Sequence, residues 1–190
     1  PRMPKQRITK KTVVQAAFEI ARNSGMEQVM VKTIAQKIGC SVQPIYSYCN
    51  NMDGLRQDVT ERVNAFVQNY ISAGIDKNDV FASTGKSYIR LAKEEPNLFK
   101  IFILHNRSNI TSLDELYQSE TNPEMAELIS KKLNITVSQA KKLHLNMLIY
   151  TIGIGTILSV ASPGISPDEI YEQQETAYKA FLSHAIENKE

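Results

Sequence analysis

Residues 31–48 read VKTIAQKIGCSVQPIYSY, and this stretch predicts two short helices separated by a tight turn. In the first half, apolar residues recur with the spacing i, i+3, i+4, i+7, which is typical of one buried helical face. They are Val31, Ile34, Ala35 and Ile38. Gly39 follows, and glycine ends a helix readily because it enters the left-handed conformation without a Cβ clash.

The second helix of this pair is predicted to begin at Ser41 as its N-cap, with Pro44 tolerated in the first turn. Ile45 is expected to face inward together with Cys40 and Cys49. The outward side chains are expected to be Val42, Gln43, Pro44, Ser47 and Tyr48, with Tyr46 near the edge. An exposed first turn with an amide and flanking hydroxyls suits a helix that enters a DNA major groove. The alternative is an ordinary helical hairpin.

The distribution of charge favours the DNA-binding alternative. The whole chain has a net charge of only +2, yet residues 1–50 hold eight lysines and arginines against two glutamates. The remaining 140 residues are net acidic, with 14 basic and 18 acidic side chains. A basic first part on a near-neutral remainder indicates a segment that binds a polyanion.

The flanking sequence predicts helices throughout and no sheet. Thr9 can cap a helix to about Ser24, and Asn51 can cap a long helix from about residue 52 to Gly74. Thr136 and the capping box at 166–169 open two further long helices, to about residues 161 and 188. Shorter helices are expected at 78–95, 96–105, 112–117 and 123–133. The predicted fold class is therefore all-α.

Residues 8–59 resemble the DNA-binding domain of the TetR family of bacterial transcription regulators. The matching segments are VVQAAFEIARNSG, TIAQKIGCS, VQPIYSYC and NMDGL, in the register of that family. Met30 departs from the family's usual threonine, so the cap of the second helix is expected to be lost. The resemblance implies a three-helix helix-turn-helix head at 1–52 and a helical effector-binding and dimerisation body at 53–190.

The implied role is a sequence-specific DNA-binding transcriptional regulator that binds a palindromic operator in double-stranded DNA. Phosphate contacts are expected from Lys10, Lys32, Thr33, Tyr46 and Tyr48, with Arg2, Lys5 and Arg7 reaching along the backbone or minor groove. Gln43 is expected to read adenine, and Val42 and Pro44 to meet thymine methyl groups beside Ser41.

For the body, the resemblance implies a homodimer through the last two long helices and a repressor that a small hydrophobic or aromatic effector releases from DNA. Aromatic residues and methionines are the candidates for a cavity wall. They are Tyr88, Phe99, Phe102, Tyr117, Met125, Met147 and Tyr150.

Other functions are weighed against this one. Three scattered histidines without ligand spacing predict no metal site, no cofactor and no enzyme. Cys40 and Cys49 match no zinc or redox spacing and are expected as reduced thiols, and a basic, polar N-terminus predicts a cytoplasmic protein. The apolar helix to about residue 161 has a membrane span as its rival interpretation, against which two glycines and five polar residues count: His144, Asn146, Thr151, Thr156 and Ser159. Two alternatives stay open: a TetR-like activator controlled by a partner protein, and an all-helical carrier or enzyme without a role in DNA binding.

Overall fold

A computed structural model describes residues 8–48, 51–161 and 163–187, and no strand occurs within them. The all-α prediction is confirmed. The described ranges contain ten α-helices: α1 (Lys10–Ser24), α2 (Val31–Ile38), α3 (Gln43–Tyr48), α4 (Met52–Ala73), α5 (Val80–Glu94), α6 (Pro96–Ile103), α7 (Leu113–Glu120), α8 (Pro123–Leu133), α9 (Val137–Ala161) and α10 (Pro167–Glu187). A 3-10 turn, Met26–Gln28, follows α1.

The chain forms two compact units. The first comprises residues 1–69 and 95–104, and the second comprises residues 70–94 and 105–190. This division differs from the expected boundary between residues 52 and 53. Most of α4 belongs to the first unit, and α6 returns to it because it packs on α1.

The first unit is built around small and branched apolar side chains from α1 to α4. Thr9 caps α1, as predicted, since its Oγ1 accepts from Thr12 N at 3.2 Å. The core residues without any exposed area are Val13, Ala17, Ala21, Val29, Ile34, Ile45, Val59, Val63 and Val67. The buried stripe of α4 continues through Val67 and Ile71, whereas the predicted Phe66 and Tyr70 are only half-buried. The buried residues of α4 are four apart, which is slightly more than one turn of 3.6 residues, so the buried stripe winds slowly around the helix.

Gly39 makes the turn between α2 and α3, as predicted. Its φ of 77° and ψ of 39° lie in the left-handed region, and its N–H donates to Ala35 O at 2.9 Å. The helix α3 begins at Gln43, so Val42 occupies the position before the helix. The prediction of Ser41 as N-cap is therefore wrong by one residue, because the turn after Gly39 uses one more residue than expected.

In the second unit, α9 is the central helix and packs against α5, α8 and α10. One cluster of its core contains Ile129, Ala140, Leu143 and Met147, with Phe81 and Phe181 packed against it. Thr136 Oγ1 accepts from Gln139 N at 3.1 Å, which caps α9 as predicted. The predicted capping box of α10 is also present, since Ser166 Oγ accepts from Glu169 N at 3.2 Å.

The helix α9 is apolar enough to resemble a membrane span. Among the described residues it is the one helix that reaches the length and composition of a span, with a mean hydropathy of 1.6 and one third of that window buried. The central helix of a soluble protein has the same composition. Part of the remainder is an exposed apolar stripe on α9 that includes Ile149, Ile157 and Val160.

Candidate nucleic-acid interface and ligand cavity

The outer surface of α3 carries the residues predicted to read DNA. Ile45 anchors the helix in the core, with no exposed area. The side chains around it face solvent, as predicted, except that Pro44 is half-buried. Tyr46 is not at the edge but is the most exposed of these large side chains, at 58%. The exposed residues are Ser41, Val42, Gln43, Tyr46, Ser47 and Tyr48.

Thr33 has a structural role that the sequence did not predict. Its Oγ1 accepts from Met30 N at 3.1 Å and lies 2.7 Å from Gln28 O and 2.8 Å from Met30 O, either of which accepts its single proton. These bonds satisfy backbone groups at the start of α2, where Met30 provides no side-chain cap. The hydroxyl is therefore held at the helix start, and a phosphate contact by Thr33 must compete with these bonds.

The lysines of the first unit differ in their partners. Lys10 forms an ion pair with Asp58 at 3.0 Å, and Lys37 forms one with Glu19 at 2.9 Å. Lys32 and Lys11 are exposed and form no ion pair with any described residue. Lys11 is a further exposed cation that was not among the predicted phosphate contacts, which included only its neighbour Lys10. Arg2, Lys5, Arg7 and Cys49 lie outside the described residues.

Lys10 and Tyr48 are brought together by the fold. Both line a polar notch at the start of α4, together with Asn51, Gly54 and Asp58. Asn51 Oδ1 accepts from Gly54 N at 2.6 Å, which confirms the predicted cap of α4. Cys40 beside the turn is a half-buried free thiol and not the fully buried one expected.

This arrangement of helices has counterparts among known proteins. A TetR-like transcriptional regulator from Rhodococcus sp. RHA1 superposes with a TM-score of 0.66, at 13% sequence identity, over 96% of this chain and 99% of that one. The chain has the TetR-like fold. It is also 22% identical to the uncharacterized HTH-type transcriptional regulator YobS of Bacillus subtilis (strain 168), over 97% of this chain and 96% of that protein. No family model matches the chain. Both similar proteins are described as transcriptional regulators, in line with the prediction of a non-enzyme.

The second unit of this TetR-like chain contains a cavity of about 340 Å³ between α5, α8, α9 and α10. That volume lies within the range of small-molecule sites, about 300–1,000 Å³. Three of the residues predicted for a cavity wall line it: Tyr88, Met125 and Met147. Its apolar lining also includes Phe81, Ile129, Leu133 and Leu148.

The other predicted wall residues lie elsewhere. Phe99 and Phe102 belong to α6 in the first unit, where Phe99 is buried in the core. Tyr150 packs its ring against Phe181, with centroids 6.5 Å apart. Tyr117 is buried and does not line the cavity, but its hydroxyl forms a hydrogen bond of 2.8 Å with His144, which does. Aromatic composition alone therefore did not distinguish core residues from cavity residues.

His144 lines the cavity on the first half of α9. Burial lowers the pKa of its imidazole to about 4, so the ring is neutral at pH 7. Its Nδ1 lies 2.8 Å from the Tyr117 hydroxyl oxygen, and the tautomer of the neutral ring sets which of the two groups donates. Phe81 packs edge-on against the ring, with centroids 5.4 Å apart. His144 is thus an uncharged hydrogen-bonding group in an apolar wall.

A second polar pair lies two turns further along α9. Gln174 Nε2 donates to Thr151 Oγ1 at 3.4 Å, and both residues are buried, at 7% and 6% exposure. His144, Thr151 and Gln174 were not among the residues predicted for the cavity. A signal was present, because His144 and Thr151 are seven residues apart on a largely apolar helix, and this spacing places them on one face.

Proposed function

We propose that the chain is a sequence-specific DNA-binding transcriptional regulator and, more specifically, a repressor that a small, largely apolar effector releases from its operator. The observation that carries the proposal is the surface of α3. Ile45 fixes the helix in the core, while Val42 just before the helix and Gln43 and Tyr46 within it stand exposed. No packing requirement explains three large exposed side chains there, whereas DNA binding uses Val42 and Gln43 for base edges and Tyr46 for a phosphate.

In this proposal Gln43 reads an adenine through its N6 and N7 atoms, and Val42 and Pro44 lie against thymine methyl groups. Lys32, Lys10, Tyr46 and Tyr48 hold the phosphates. Lys32 is the stronger phosphate ligand of the two lysines, because it is exposed and has no ion-pair partner among the described residues. Lys10 must first leave Asp58.

The test begins with selection of bound sites from a library of random DNA duplexes by the full chain. Gln43→Ala should then lower affinity for the selected site by ~1–3 kcal/mol per half-site, at one base position, with little change in salt dependence. Tyr46→Phe should weaken all sequences alike by ~1 kcal/mol. Gln118→Ala, which changes an exposed glutamine of α7 in the second unit, is the matched control. Failure to enrich any site would contradict the proposal.

We also propose a homodimer through α9 and α10, which the exposed stripe of α9 supports. Ile149, Gly153, Ile157 and Val160 share one helical face and are exposed, and the space beside Gly153 is open. Contiguous exposed apolar residues indicate an interaction surface. A two-fold dimer would present its two α3 helices to a palindromic site with half-sites roughly 34 Å apart.

Sedimentation tests the dimer directly. Ile157→Glu should shift the full chain toward monomer, because it places a charge in the centre of the apolar stripe. Leu113→Glu changes an equally exposed leucine on α7 and should leave the sedimentation coefficient unchanged. A monomer for the unaltered protein at micromolar concentration, with and without DNA, would contradict the dimer.

Release by an effector requires that the ligand bind one conformation of the dimer more tightly than the other. The cavity in the second unit supports an effector site, because it combines an apolar wall with a few polar groups.

A further inference from the structure

The polar residues of the cavity wall indicate which charge its ligand carries, in addition to the ligand's apolar character. This inference rests on the proposed function, since it concerns the effector of the same regulator. Its starting point is the amide of Gln174, which is nine-tenths buried and lines the cavity.

One atom of this amide faces the cavity without a protein partner among the described residues. The only hydrogen bond of Gln174 with a described residue is the one from Nε2 to Thr151 Oγ1. In the described part of the chain, no fully buried side-chain nitrogen or oxygen lacks a hydrogen-bond partner. The remaining amide atom is therefore in contact with open space, and for a cavity-lining residue that space is the cavity. A half-turn of the amide presents either the oxygen or the NH2 group there.

Lys86, an exposed residue of α5, lines the same cavity as this amide. The Lys86 ammonium is 5.6 Å from the centre of the Tyr171 ring, and Tyr171 precedes Gln174 by one turn of α10. Lys86 forms no ion pair with any described residue. The lining of the cavity thus contains both an amide and a cation without a described carboxylate partner.

The other charges at the cavity are partly compensated, and Lys77, which also lines it, forms no ion pair with a described residue. Lys132 pairs with Asp79 at 2.7 Å, and Lys179 pairs with Glu175 at 3.8 Å. Among the cavity-lining residues, three lysines stand against two carboxylates, which leaves one surplus positive charge. Both carboxylates of this lining are thus already paired and do not favour a cationic ligand. The far end, at His144, is neutral and offers only hydrogen bonding.

We propose that the cavity binds an apolar monocarboxylic acid, with its carboxylate between the Lys86 ammonium and the Gln174 amide and its hydrocarbon body along Phe81 and Met147. In the bound state Gln174 turns its NH2 group to the carboxylate and accepts from the Thr151 hydroxyl through its oxygen. The distance between the polar ends follows from α9, because His144 and Thr151 are separated by seven residues, or ~10 Å along the helix axis. A medium-length hydrocarbon fills this span.

The test is calorimetric titration of the full chain with octanoate, octan-1-ol and octylamine, three molecules of one shape with different charge, and with 4-phenylbutyrate as a second acid. At least one acid should bind about tenfold or more tightly than the alcohol, because a hydrogen-bonded charge gains more than a neutral group. The amine should bind no more tightly than the alcohol. Equal binding of acid and alcohol, tighter binding of the amine, or no binding of either acid would overturn the proposal.

Two variants locate the carboxylate. Lys86→Gln and Gln174→Leu should each weaken binding of the acid about tenfold and leave the alcohol unchanged. Lys141→Gln removes the same charge from an exposed lysine that does not line the cavity, and it should change nothing. An acid that binds Lys86→Gln as tightly as the unaltered protein would place the carboxylate elsewhere and contradict the proposal.

Gel-shift measurement with the selected DNA site separates this inference from the proposed function. Charge-selective binding that leaves the DNA complex intact would support the ligand class and contradict release by the effector. A chain that binds no DNA at all would contradict the proposed regulator, while the titrations would still decide the ligand.

Discussion

Polar side chains lie on the outside of the first unit and partly on the inside of the second. In the first unit the core is apolar, and Gln43, Lys32 and Tyr46 face solvent. In the second unit His144, Thr151 and Gln174 line a partly open cavity. The first arrangement suits recognition of a large polyanion at the surface, and the second suits enclosure of a small molecule.

The difference also concerns packing. In the first unit, Ile34 and Ile45 have no exposed area and support the exposed turn of α3. The second unit has a partly open cavity of about 340 Å³ between four helices. A side chain that borders such a space, as Met147 does, has fewer dispersion contacts on that side.

The largest expected contrast comes from the same truncation in the two units. Ile45→Ala should reduce the local stability of the first unit by about 3–4 kcal/mol, whereas Met147→Ala should cost the second about 2 kcal/mol, because Met147 already borders open space. Amide hydrogen exchange, followed separately in each unit, measures both losses. Equal losses would show that the cavity wall is packed as tightly as the core around α3.

A second contrast is the pH dependence of the second unit. His144 binds its proton with a pKa of about 4 in the folded protein and near 6.5 when unfolded. The unfolded chain therefore binds more protons between these values, so stability is complete above pH 6.5 and falls as the pH drops toward 4, by up to about 3 kcal/mol. His144→Gln should not show this fall in the free energy of unfolding, which urea unfolding at several pH values measures. Identical pH profiles for the two proteins would show that His144 titrates normally.

Substitutions of two glycines distinguish the effect of backbone conformation from the effect of the space available for a side chain. Gly39 has a φ of 77°, and nothing lies within 4 Å of the position that a Cβ would take there, so Gly39→Ala should destabilise by about 1–2 kcal/mol through backbone strain alone. Gly85 has helical backbone, so Gly85→Ala gains about 1 kcal/mol of helix propensity, offset by the contact with Gln174. Calorimetric unfolding should show a loss for the first variant only. A comparable loss in both would contradict this account.

The smallest expected effect concerns the Lys10–Asp58 pair. Asp58→Asn frees the Lys10 ammonium, so DNA affinity should rise by at most about 1 kcal/mol, with a steeper salt dependence. Asp53→Asn is the control, since Asp53 is another aspartate of α4 and pairs with Arg56, not with Lys10. If both variants gain equally, the effect is general electrostatics and Lys10 holds no phosphate.

The sequence predicted the helices and the turn of the first unit because the signals there are local. Apolar spacing, Thr9, Gly39 and Asn51 each act within four residues of their own position. The start of α3 was misplaced by one residue, since Ser41 and Val42 are adjacent and the turn length depends on packing. The role of Thr33 was missed because its partners depend on the loop before α2.

The cavity was predicted less well, for a physical reason. Aromatic residues and methionines both fill cores and line cavities, and periodicity does not separate the two uses. Tyr88 and Met147 line the space, whereas Phe99, of the same chemical character, is buried in the other unit. The polar residues in the apolar faces of α9 and α10 identify the cavity better than its aromatic residues do.

The return of α6 to the first unit has a consequence for how the protein is made. Arg22 Nε donates to Glu95 Oε2 at 2.9 Å, and Asn97 Nδ2 donates to Arg22 O at 2.9 Å, so α1 is tied to chain synthesised more than 70 residues later. During translation, the contacts between α1 and α6 are complete only after residue 104 has left the ribosome. A fragment cut after residue 69 leaves one side of α1 without its partner. Exchange of DNA-binding heads between proteins of this fold should therefore carry α6 along with the first 69 residues.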